Sequence, residues 1–129
     1  MVLAIWWTRK FGAASLVGVV VAAMTFMINP TAFQMVGFVT ATVVFDIVTK
    51  LLTYERLFRD FTVGAAVLVA ISVLCAALAG IIIGAFFMGY TTLSAVLIWG
   101  GLHAIGGLIG GTIGVVIVKA LMIRHLRPL

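Results

Sequence analysis

Asp46 and His103 are the side chains on which chemistry could turn, because both are ionisable and both lie inside long apolar runs. A charge held at the centre of a bilayer costs about 2.5–3.5 kcal/mol on insertion scales, so an ionisable group retained at such a place is a functional suspect. Asp46 has Lys50 four residues on, in the acid-first order that favours pairing on one helix face. The expected arrangement is a local Asp46/Lys50 pair near the interface, with the lysine snorkelling outward. Proton or ion handling would want a second acid at depth, and the sequence has none.

His103 has Trp99 one turn before it on the same face. Three roles are open to it: a neutral imidazole bonded to a carbonyl or a threonine, a contact to the polar ring of a solute, or metal or haem ligation. Ligation needs company, and the only other histidine is His125 in the basic tail, so no metal site and no cofactor is expected. Asn29, Gln34 and Thr40 can add hydrogen bonds from one end of the bundle, to a solute or only as caps and interhelical contacts. No Walker loop, HExxH, CxxC, paired carboxylate or Gly-x-Ser-x-Gly is present, which argues against an autonomous enzyme. Cys75 is the sole cysteine and reads as a small core residue.

The elements that must hold these residues are membrane helices. The chain is 65% hydrophobic and 9% charged, against roughly half and a quarter in soluble domains. A cleaved signal would suit the basic start, but the rest is equally apolar and could not form a secreted globule. With about 20 apolar residues needed per crossing, four spans are expected, at 11–28, 32–52, 61–87 and 93–118, forming one all-α, four-helix membrane domain over 1–129. The first span stops at Asn29-Pro30, since proline and its predecessor both disfavour a continuing helix. All eight Lys and Arg residues fall before span one, at the elbow, or after span four, while the two opposite turns carry no charge. That asymmetry predicts cytoplasmic termini in a multi-pass protein of a prokaryotic cytoplasmic membrane. It also explains the net charge of +5 without nucleic acid. Trp6, Trp7, Tyr54 and Tyr90 are expected at the interfaces.

Small residues at spacings of four line close helix contacts in membranes. Three such seams are present: Ala14-Gly18-Ala22, Ala76-Gly80-Gly84 and Gly106-Gly110-Gly114, the last flanked by Gly107-Gly111. Either all serve this bundle, or one faces outward to another membrane subunit. The glycine pairs of the last span are compatible with one continuous helix, because glycine is tolerated in membrane helices.

The order RKFGAASL at Arg9 to Leu16, the Asn29-Pro30 turn, Asp46, LTYER at Leu52 to Arg56 and the closing GLIGGTIG at Gly107 to Gly114 resembles the substrate-binding S components of energy-coupling factor transporters, of the thiamine-precursor type. The resemblance covers nearly all of this chain but only the later part of that family's six-helix domain. Phe11 stands where the family favours proline, and Asp46 where glutamate is commoner. It implies a subunit that captures a small vitamin-like solute and docks on a partner transport subunit, with Asn29, Gln34, Asp46, Trp99 and His103 as the candidate solute contacts. The outer turns are shorter than the loops with which that family builds its pocket. The other reading is a non-catalytic accessory subunit of a larger membrane complex, in which the same polar residues are structural.

Overall fold

The computed structural model describes residues 1–124; His125 and Arg127 lie outside the described residues. Among those described, regular structure is entirely helical: α1 (Val2–Thr8), α2 (Ala13–Ile28), α3 (Met35–Leu51), α4 (Tyr54–Arg59), α5 (Phe61–Phe87) and α6 (Leu93–Ile123). Two of these, α5 with 27 residues and α6 with 31, are long and apolar enough to cross a membrane. The first two expected spans are shorter than that, with 16 residues in α2 and 17 in α3.

Local chemistry sets these limits. Arg9 (φ 48°) and Gly12 (φ 91°) both take the left-handed region, which separates α1 from α2. Asn29 leaves α2 in an extended conformation, and its side-chain oxygen accepts from the backbone N–H and the hydroxyl of Thr31, at 3.2 and 2.7 Å. That turn uses up the residues before Met35, so α3 starts three residues later than the apolar run suggests. Thr53, with φ 64°, breaks α3 from α4, a conformation that a β-branched residue rarely adopts. Asp60 then caps α5, accepting from the N–H groups of Thr62 and Val63. The far end of α5 widens into a π-turn over Ile83–Phe87, and Gly89 (φ 64°) reverses the chain into α6.

The six helices pack as a row with a wedge. α2 packs on α3, α3 on α5, and α5 on α6; α1 inserts at the basic end between α2 and α6 and touches α4. The wedge is a departure from the sequence reading, in which Trp6 and Trp7 anchor an interface. Ile5 and Trp6 are fully buried in the core with Phe45 and Leu68. Seven residues suffice for two helical turns, and docking their apolar face contributes more than leaving an indole at the membrane surface, since a large buried side chain is worth about 1.5–3 kcal/mol. α4 is a second short helix, with Leu57 and Phe58 turned inward and its charges outward. α6 runs unbroken through all of its glycine pairs.

Candidate functional site

Asp46 is fully buried, and its partner is α2 rather than Lys50. One carboxylate oxygen accepts from the backbone N–H of Ala14 at 3.2 Å; the other accepts from the N–H and the hydroxyl of Ser15, both at 2.6 Å. A helix leaves its first N–H groups unsatisfied and carries positive potential at that end. Gly12, at the N-cap of α2, has no side chain to satisfy them, so an acid 31 residues away in sequence supplies the cap from α3. The expected Asp46/Lys50 pair does not form. Lys50 is exposed, and its ammonium lies 4.6 Å from the centre of the Phe11 ring, a cation–π contact. The four-residue spacing was compatible with pairing, but three charge-assisted bonds to a helix terminus outweigh one exposed ion pair.

His103 and Trp99 line a cleft of about 690 Å³. Its floor is Ser72, Cys75, Ala76 and Ala79 of α5; Phe38 and Ala41 of α3 form one wall, and successive turns of α6 form the other. The residues at its basic end are Met1, Val2 and Leu3. Two glycines of α5 seat the aromatic pair. A Cβ on Gly80 would come within 2.8 Å of the His103 side chain and of the Trp99 carbonyl, and one on Gly84 within 3.4 Å of the Trp99 and Tyr90 rings. Tyr90 meets Trp99 edge to face and Trp99 meets His103 at a tilt, with ring centroids 6.2 and 5.3 Å apart.

The hydrogen bonding of this pair is asymmetric. His103 Nδ1 lies 3.0 Å from the carbonyl oxygen of Trp99; a carbonyl only accepts, so Nδ1 carries the proton, and in the neutral ring Nε2 is left as an acceptor. The indole Nε1 of Trp99 is buried without a hydrogen-bond partner. A buried orphan donor costs about 1–3 kcal/mol. The cleft therefore offers the His103 acceptor within mostly apolar walls, the composition of a small-molecule site, whereas the Trp99 donor is sealed within the protein.

The other sequence candidates lie elsewhere. Asp46 is committed to α2 and does not line the cleft; nor do Asn29, whose side chain is taken by Thr31, or Gln34, half-buried at the N-terminus of α3. Thr40 gives its proton to the Val36 carbonyl. Of the small-residue seams, Gly18 faces Thr42 between α2 and α3, and Ala76, Gly80 and Gly84 face α6. The α6 glycines divide into two stripes. Gly107 and Gly111 approach Ser72 and its neighbours on α5, whereas Gly106 and Gly110 meet nothing within 4 Å and border the open cleft; Gly114 faces Val2. The sequence marked both stripes as packing positions; which of them would stay uncovered depends on the azimuth of α6 against α5, which spacing alone leaves undetermined.

Two functional positions escaped the sequence reading: Ser15, half of the Asp46 cap, and α1, which sits against the basic end of the cleft. The only signal for Ser15 was a helix start lacking its own capping side chain. Among the described residues, no group of three or more His, Cys, Asp or Glu gathers as a metal site. No protein-family model, no curated protein and no solved structure matches this chain.

Proposed function

We propose that the chain is a multi-pass membrane subunit that takes a small vitamin-like solute into the α3/α5/α6 cleft and docks on a partner transport subunit. The observation that carries this reading is the mostly apolar cleft of about 690 Å³ between α3, α5 and α6, which His103 lines with one ring nitrogen bonded to the Trp99 carbonyl and the other left to accept.

Four crossings are part of the proposal. α2 and α3 extend about 24 and 25 Å at 1.5 Å per residue. They would cross a core of about 30 Å by local thinning of the bilayer and snorkelling of flanking residues. The exposed cations Arg9, Lys10, Lys50, Arg56 and Arg59 cluster at the helix ends that topology brings together, and this supports cytoplasmic termini. For docking, a shallow groove on the far side of α5 and α6 is bordered by Ala65, Ala66, Val69 and Ala70 with Leu108 and Thr112. Small side chains there would let a partner helix approach closely.

The test is purification in mild detergent followed by mass spectrometry of co-purifying small molecules, for the wild type and His103→Ala. Retention of a solute by the wild type and its loss in the variant, with the same unfolding midpoint, is the expected result. Equal retention, or no retained solute together with a stoichiometric membrane partner, would favour the accessory-subunit reading instead.

A further inference from the structure

The start of α2 and the end of α3 gather cations with little to balance them. The two helices pack together, and the Lys50 ammonium lies 4.6 Å from the centre of the Phe11 ring. Arg9 and Lys10 immediately precede that ring in the chain, and all three cations are exposed. Asp46, one turn before Lys50, is buried and gives both carboxylate oxygens to Ala14 and Ser15. The chain has three acids in all; of the other two, Asp60 caps α5 and Glu55 stands in the first turn of α4. The patch thus sets three outward positive charges against one negative charge that is buried and fully bonded.

The surface beneath these cations is apolar. Val43 and Ile47, seven and three residues before Lys50, share its face of α3, and both are exposed, as are Phe11 and Leu51 beside the cations. A cation above two turns of outward apolar side chains has its stem toward hydrocarbon and its charge at the level of lipid headgroups. The brevity of α2 and α3, with 16 and 17 residues, acts in the same direction, because a span shorter than the hydrocarbon core thins the bilayer around it and draws the headgroups inward.

We infer that the Arg9/Lys10/Lys50 patch holds the phosphate of an anionic phospholipid whose acyl chains lie along the Val43/Ile47 face of α3. A charge-neutral lipid gains nothing from the cations, whereas an anionic headgroup is attracted by each of them. A soluble phosphate, or an acidic segment of a partner protein, would use the charged half of this surface and forgo the apolar half. The inference rests on the reading of the chain as membrane-embedded and does not involve the cleft.

The experiment places the full chain in nanodiscs of equimolar phosphatidylcholine and phosphatidylglycerol at low ionic strength and reads retained lipid by native mass spectrometry. Phosphatidylglycerol should be retained in preference. Lys50→Gln and Lys10→Gln should each lower its retention about fivefold, the worth of one cation near a charged headgroup layer, with the unfolding midpoint unchanged, and Lys50→Arg should keep it. Lys119→Gln is the charge control: it removes an equally exposed cation from α6, at the other end of the helix row, and should leave retention as it is. Equal retention of the two lipids would overturn the inference. So would a loss in Lys119→Gln as large as in Lys50→Gln, which would mean a diffuse field and no site. Displacement of the lipid by equimolar glycerol 3-phosphate would assign the patch to soluble phosphates, and a protein that co-purifies and is lost in Lys50→Gln while lipid retention is intact would assign it to an acidic partner; either result overturns the inference. If the chain does not enter nanodiscs at all, the membrane-embedded reading fails with it, whereas entry without lipid preference sinks this inference alone.

Discussion

The carboxylate of Asp46 does for α2 what no residue at the start of that helix can do. Replacing it with alanine leaves the N–H groups of Ala14 and Ser15 buried against α3 with no acceptor. We expect Asp46→Ala to cost about 2–4 kcal/mol, from the loss of a helix cap and of charge-assisted bonds. Asp46→Asn, which keeps one acceptor oxygen, should cost about half as much. Reversible unfolding in a detergent series measures both, and an alanine variant within about 0.5 kcal/mol of wild type would exclude the cap as a stabilising contact. Tyr54 gives a pH prediction. Its hydroxyl is buried with no hydrogen-bond partner. Burial, aided by the negative charge of Asp46, raises its pKa above the usual 10.0. Between the two pKa values the folded state holds more protons than the unfolded one, so stability falls as pH rises past 10. Tyr54→Phe should remove that part of the alkaline decline and leave neutral-pH stability equal or higher. At this scale the sequence singled out Asp46 and His103 as the groups needing explanation, because ionisable atoms in apolar runs are conspicuous. It could not supply the partner of Asp46, which is local in space and 31 residues distant along the chain.

The glycines of α6 show how one helix serves two purposes on adjacent faces. A Cβ on Gly107 would fall 2.5 Å from the Ser72 carbonyl oxygen and 2.6 Å from Ala76 Cβ, so Gly107→Ala must push α6 off α5 at a cost of about 1–3 kcal/mol. Gly106→Ala meets nothing and should be neutral or stabilising by up to about 1 kcal/mol through helix propensity. Thermal unfolding of the pair separates the two stripes; equal destabilisation would mean that α6 is rotated from the azimuth described. Helix content and the ends at Asn29-Pro30 and Gly89 were legible because proline, glycine and hydropathy act locally. α1 and α4 were not, since seven and six residues are too few to show an apolar period, and what makes them helical is the surface they dock on. α3 starts at Met35 rather than at Ala32 because the backbone N–H groups of Ala32 and Phe33 bond back to Asn29 and Thr31 in a turn, which the sequence alone does not show.

For the molecule as a whole, the proposed four-crossing arrangement predicts a two-sided labelling pattern. In a Cys75→Ala background, single cysteines at Lys10, Arg59 and Arg124 should react with an impermeant maleimide from one side of the membrane, and cysteines at Thr31 and Thr91 from the other. Arg9 and Arg59 in opposite compartments would dismantle the topology and the functional reading with it. In the sequence this arrangement is suggested by charge placement alone, because short cytoplasmic loops carry an excess of lysine and arginine. The open row of helices was not legible, since nothing in the residue order says that the last helix fails to close back on the first. α6 is held mainly along one side, by α5 with α1 at its end, and most of its circumference faces outward. Mutational tolerance along α6 should therefore follow compass direction rather than depth: a saturation library would show a narrow intolerant meridian through Gly100, Gly107 and Gly111, flanked by permissive longitudes on which apolar residues interchange freely.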